Sequence, residues 1–167
     1  NSMSDLFHPD VPEQFIKRVW DTMIVCPQHH FQILTKRPDR MAALFSSGAI
    51  EAQQHIWVGT SVESEEVSDR VGHLASIKGA TLFISFEPLI GEIRDIDLRG
   101  IHWAIVGGES GPRSRPMEES WVERLLEICR RDDVAFFFKQ WGGRNKKATG
   151  RELHGQTFDE YPIALEA

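Results

Sequence analysis

Cysteine is scarce in this chain of 167 residues: Cys26 and Cys129 are the two it has. Neither stands in a CxxC spacing, and the single CxxH spacing, Cys26 to His29, has no second ligand pair near it, so no zinc or iron–sulfur site is written locally, and both read as small buried apolar side chains. Long hydrophobic runs are missing as well. No stretch approaches the roughly 18 apolar residues of a membrane span, and no basic-then-apolar leader is present, so the expectation is a cytoplasmic protein without a membrane partner. The spacings GxGxxG, GxxxxGK[ST], GxSxG, HExxH and HxH do not occur, which removes a dinucleotide fold, a P-loop, a serine hydrolase and a zinc protease. Positive charge is in deficit too. The net charge of −6 argues against a general nucleic-acid coat.

What the chain does have is one pattern repeated five times, a short apolar run that ends in polar, Gly and Pro residues. The runs are Phe31–Leu34, Ile56–Val58, Leu82–Phe86, Trp103–Val106 and Ala135–Phe138. Near-continuous apolar strands of this kind are buried on both faces, as in a parallel sheet or barrel covered by helices. Helical patterns stand between most of them. Asp10, Pro12 and Glu13 open the first in capping-box fashion, with Phe15, Ile16, Val19, Trp20, Met23 and Ile24 as its apolar stripe and Pro27 as its stop. Pro38-Asp39 opens a second, closed by Gly48. Ser64 caps a third that buries Val67, Val71 and Leu74 and ends at Gly79, and a fourth runs from about Met117. Between Leu89 and Gly100 no helix is signalled. After Gly143 the composition becomes basic and irregular, so the organisation expected is a partial α/β barrel over residues 1–143 and a tail over 144–167 packed on it.

In parallel α/β folds the carboxyl ends of the strands form one ligand-binding edge. That edge would gather Lys36, Arg37, Ser61, Glu63, Glu87, Glu109 and Lys139. Three carboxylates at comparable strand ends suit a divalent metal, ribose hydroxyls, an amino group or proton transfer, or else salt bridges to the neighbouring cations. Lys36 and Arg37, just before a helix amino terminus, suit a carboxylate or phosphate, or form a solvated pair. The glycines of Val106–Pro112 allow close approach of a ligand or positive φ. Trp141 can stack on a base or close the barrel. The cations of 144–151 offer weak support for a nucleic-acid contact and read more simply as a solvated loop.

At these blocks the chain resembles a family found in phages and bacteria, the phage gene-product thirty-seven/sixty-eight family of unknown function. The resemblance rests on Asn1–His8, Leu34–Pro38, Trp57–Glu63, Glu87–Leu89, Val106–Pro112, Phe137–Gly142 and Gly150–Leu153. It implies a radical S-adenosylmethionine (SAM) enzyme with an incomplete TIM-like barrel. In full-length relatives three closely spaced cysteines after the first strand hold a [4Fe–4S] cluster. Those cysteines and that strand are absent here, and the polar opening Asn1–Asp5 reads as the end of a missing strand, so a fragment truncated at its amino terminus is expected, inactive by itself. The resemblance also implies roles: Ser2, Ser4 and Asp5 for the methionyl amino group, Lys36 or Arg37 for its carboxylate, and Ser61 and Glu63 for the ribose. Glu87, Glu109 and Lys139 would face a small-molecule or nucleotide-like substrate. Two readings stand beside it: a divalent-metal-dependent barrel enzyme using Glu63, Glu87 and Glu109, and a non-catalytic binding module. His154 stands where relatives carry an acidic residue.

Overall fold

A computed structural model describes residues 4–162. All five apolar runs are strands: β1 (Phe31–Thr35), β2 (Ile56–Ser61), β3 (Leu82–Phe86), β4 (Trp103–Gly107) and β5 (Ala135–Gln140). They pair in chain order, every pair parallel. Sequential parallel pairing with right-handed crossovers puts all the covering helices on one side of the sheet. Those helices are α1 (Glu13–Ile24), α2 (Pro38–Ser46), α3 (Arg70–Ala75) and α4 (Glu119–Asp132), with a one-turn α5 (Lys146–Thr149) after the last strand. The sheet is an open five-stranded one rather than a closed barrel. No helix among the described residues is long and apolar enough to cross a membrane.

Strand side chains alternate between the two faces. Ile56, Val58, Leu82, Ile84, Phe86, Ala104, Val106, Phe136 and Phe138 point to the helices and are buried with Ile16, Trp20 and Met23 of α1, Met41 and Leu44 of α2, Leu74 of α3, and Val122, Leu125 and Ile128 of α4. Trp57, Phe83 and Trp103 point the other way and form a separate apolar cluster with Leu34, Ile105, Ala135 and Phe137. Among the described residues no helix covers that second face. Gly59 lies on it, and a Cβ there would come within 2.5 Å of the Phe83 carbonyl oxygen and 2.6 Å of its ring, so the glycine admits Phe83.

Several helix ends differ from the sequence reading. The residue preceding α1 is Pro12, without a side-chain cap, and the Asp10 amide instead donates to His8 Nδ1. Pro12 presets the backbone for the first turn without an Asp cap. After Ser64 the chain makes a 3-10 turn, Glu65–Val67, then the short α3, and the Ser64 side chain caps neither. α4 begins at Glu119 rather than Met117. The segment between β3 and β4 is non-helical, as read, and it does a helix's covering work: Ile93, Ile96 and Leu98 are buried, and Arg131 and Asp132 of α4 hold the Ile96 carbonyl (2.7 Å) and the Leu98 amide (2.9 Å).

The tail runs along the outer edge of β5. Phe158 packs on Phe136, its carbonyl accepts from the Phe138 amide at 2.9 Å, and Glu160 Oε2 accepts from the Phe136 amide at 2.9 Å. Trp141 packs edge-on against Phe138 and donates to the Glu152 carbonyl at 2.8 Å, so its indole ties the tail to the body.

Candidate functional site

The strand carboxyl ends carry four separate charge assemblies, each built by a short segment next to a strand. Asp5, from the loop before α1, accepts from Thr35 Oγ1 (2.7 Å), the Phe7 amide (3.0 Å), the Lys36 amide (3.2 Å) and Arg37 Nη1 (2.7 Å). Burial works to raise its pKa, but these donors outweigh it and hold the carboxyl below the ordinary range. Arg40 of α2 fixes the same loop by donating to the carbonyls of Phe7, His8 and Val11. Arg37 and Asp5 are thus spent on each other and on loop anchoring. Ser4 stands beside Asp5 in that loop, and Ser2 lies outside the described residues.

Glu63, two residues beyond β2, is buried between two cations. Lys36 Nζ meets its Oε1, and Arg70 Nη1 lies 3.0 Å from Oε2 while also donating to the Ser61 carbonyl at 2.8 Å. Burial pushes its pKa up, and the two cations bring it net below the usual carboxylate value. Lys36 is half exposed at this pair, so one of its partners is open to exchange. Ser61 is buried on the concave face, in register with Ser85 of β3.

Glu87 closes β3 on the concave side. Lys139 Nζ lies 2.8 Å from its Oε2, and Gln140 Nε2 reaches its Oε1 at 3.3 Å and Ser110 Oγ at 2.7 Å. Gly107 faces this carboxylate, and a Cβ there would touch it at 3.4 Å. Glu109 has gone elsewhere. Arg115 grips it in bidentate fashion (2.8 and 2.9 Å), and its carboxyl is lowered to about 2 by the Arg115 guanidinium and amide. The three rim glutamates are therefore divided among four cations, and among the described residues they do not gather into one set of metal-ligand atoms. The salt-bridge alternative is the arrangement found.

The glycine cluster also has a local purpose. A Cβ on Gly108 would fall 2.0 Å from the Trp141 carbonyl oxygen, and Gly143 donates to the Glu109 carbonyl at 2.7 Å. The close approach these glycines allow is between the loops after β4 and β5, not toward a ligand. One grouping escaped the sequence: Glu119 and Glu123 on α4 meet His154 of the tail, with His154 Nε2 2.7 Å from Glu123 Oε1. All three are at least partly exposed, on the helix side, and act as ion pairs tying the tail to α4.

The concave face carries a groove of about 430 Å³. Phe83, Trp103, Ile105 and Phe137 form its floor, with Leu34 on one side, Tyr161 on the other, and Ser85, Glu87 and Lys139 at the carboxyl end. The sequence supplied the strands and the polar end but not this floor, because alternation within an all-apolar run does not say which face the helices cover. Tyr161 reaches the floor from the tail, its ring centroid 5.0 Å from Trp103 and 5.6 Å from Phe137.

Comparison with known proteins is sparse. No curated protein matches the chain, and no solved structure does. A family model described as protein of unknown function (DUF5131) matches residues 1–162.

Proposed function

We propose that this chain, which belongs to the DUF5131 family, binds S-adenosylmethionine and a second organic molecule on the open face of its sheet, as the barrel wall of a radical-SAM-like enzyme. The observation that carries the reading is the layout of the sheet. Five parallel strands in chain order place every helix on one side, leave the other side concave and apolar, and bring polar side chains to the carboxyl edge of that open side. Ligands of parallel α/β folds bind at this edge.

The amino-acid part of SAM is zwitterionic, and the Lys36–Glu63 pair fits it by exchange: Lys36 turns from Glu63 to the ligand carboxylate, while Arg70 still neutralises Glu63 and leaves Oε1 to accept from a ribose hydroxyl. Asp5 and Arg37 support this end by fixing the loop and the start of α2. A [4Fe–4S] cluster does not fit the cysteines of this chain. Cys129 is buried in α4 with its thiol pushed up to about 12 by burial, and Cys26 follows α1. Any cluster would take its thiolates from outside this sequence.

The test is iron and sulfide content, with the visible spectrum, of the gene product purified at native length without oxygen. Roughly four irons per chain and a spectral change on adding SAM are expected. Iron-free protein that also fails to bind SAM overturns the reading.

A further inference from the structure

We infer that the second molecule held on the concave face is a nucleobase, presented as a nucleoside or nucleotide. The inference rests on the reading of that face as the ligand face, and it comes from the match between the groove's floor and its polar end.

The floor is aromatic although no helix among the described residues covers it: Phe83 and Trp103 are buried by their neighbouring rings and Tyr161, and Ile105 and Phe137 stay partly exposed. Trp103 is its centre: Trp57, Phe83 and Phe137 surround it with ring centroids at 5.9, 6.0 and 5.9 Å, mostly edge-on. Phe137 and Ile105 keep part of their surface exposed despite lying mid-strand, whereas their neighbours Phe136, Phe138 and Val106 on the other face are fully buried. Tyr161 tilts by 31° over Trp103, so the groove has an aromatic wall as well as a floor. Tyr161 and Trp103 already touch, so a planar ring rests on the partly exposed Phe137 and Ile105 with the Tyr161 ring at its edge, an arrangement worth most to a flat polarisable heterocycle.

The carboxyl end selects among flat rings. Glu87 and Lys139 sit side by side 2.8 Å apart, following Ser85 and Phe137 by two residues on their strands and so pointing to the same face. One is an acceptor and the other a donor. Gln140 Nε2 holds Glu87 Oε1 from behind and fixes the carboxylate. A simple arene offers this pair nothing. A nucleobase edge offers a ring or exocyclic N–H to Glu87, next to a carbonyl or ring nitrogen for Lys139. The ligand thus inserts into the existing ion pair and satisfies both members. The volume of about 430 Å³ falls within the range of small-ligand sites.

Calorimetric titration of this chain with adenosine, guanosine, cytidine and uridine tests the inference, with ribose and naphthalene sulfonate as probes lacking one or both features. At least one nucleoside is expected to bind more tightly than both probes. Phe137→Ala is expected to weaken that binding roughly ten-fold, the loss of one stacking ring. Glu87→Gln, which keeps shape, is expected to weaken the nucleoside and leave naphthalene sulfonate unchanged. Phe137→Leu replaces the alanine variant if that fails to fold, and Phe15→Ala, on the exposed side of α1, serves as the unaffected control. Failure of all four nucleosides to bind overturns the inference, as does naphthalene sulfonate binding as well as the best of them, or nucleoside binding that neither variant changes. None of these titrations needs iron or SAM. Nucleoside binding by an iron-free gene product that ignores SAM would sink the radical-SAM reading alone, and an iron-bearing, SAM-responsive protein that ignores nucleosides would sink this inference alone.

Discussion

The two faces of the sheet are built from alternate residues of the same five strands, yet they follow different rules. The helix-covered face carries Ile56, Val58, Leu82, Ile84, Phe86, Val106, Phe136 and Phe138, all fully or almost fully buried, with Thr60 there tied to the Thr35 carbonyl. The open face carries rings in its middle, a glycine where a ring must fit, and serine, glutamate and lysine toward the carboxyl edge. The first composition maximises buried apolar area and close packing. The second leaves Leu34, Ile105 and Phe137 partly exposed around buried Phe83 and Trp103, a patch of the kind that marks binding surfaces. If the open face binds as proposed, stability and function in this fold are separated by the two-residue period of a strand.

Substitutions on the two faces should separate in the same way. The largest effect is expected from Phe136→Ala, which removes a fully buried ring packed against Phe158. A loss of about 3–5 kcal/mol in denaturant unfolding follows. Next is Gly59→Ala. Its methyl would press on the Phe83 backbone and ring, costing on the order of 1–3 kcal/mol, and a stability equal to wild type would show that the floor can move aside.

The carboxyl edge should show itself through pH. Asp5 and Glu63 have folded pKa values below their ordinary 3.8 and 4.5. A group depressed in the folded state contributes stability above its unfolded pKa and loses it as pH falls through the folded value. Unfolding free energy should therefore hold steady from neutral pH to about 4.5–5 and decline below, and Asp5→Asn should flatten that decline while costing roughly 1–3 kcal/mol at pH 7. A decline no shallower in the variant would mean that Asp5 does not anchor the loop. The smallest stability effect, on the order of 1–2 kcal/mol, is expected for Phe137→Ala, because that ring is only partly buried. The same change should do most to ligand binding, and a variant that is badly destabilised but binds normally would invert the comparison between the faces.

Much of this was legible in the sequence, and for stated reasons. Runs such as Leu82–Phe86, each closed by a polar residue or glycine, fix strand positions and a parallel sheet, and α1 and α4 are written in apolar residues three and four apart. Helix starts were less legible. Asp10 and Ser64 have the chemistry of caps, but loop packing around Arg40 and a 3-10 turn took their places. At the edge, the sequence could name Glu63, Glu87 and Glu109 with Lys36 and Lys139 as nearby cations, but not Arg70 or Arg115, nor which cation meets which carboxylate. Arg70 lies a helical turn beyond the strand, and Arg115 follows Glu109 around a loop, so pairings that divide the carboxylates depend on local geometry no spacing displays. The aromatic floor was hidden for a different reason, since Trp103 and Phe137 look like core residues until the side lacking helices is known.

The five tryptophans make the comparison directly measurable. Trp57 and Trp103 lie on the open face, whereas Trp20, Trp121 and Trp141 pack against the helix-side core. The decisive measurement is an indole N–H titration by NMR with S-adenosylhomocysteine, the unreactive nucleoside-bearing analogue of the proposed ligand. Saturable shifts of the Trp57 and Trp103 signals, with those of Trp20, Trp121 and Trp141 stationary, are the predicted result. Shifts confined to the helix-side tryptophans, or none at all at millimolar analogue, would contradict the assignment of the concave face as the ligand site.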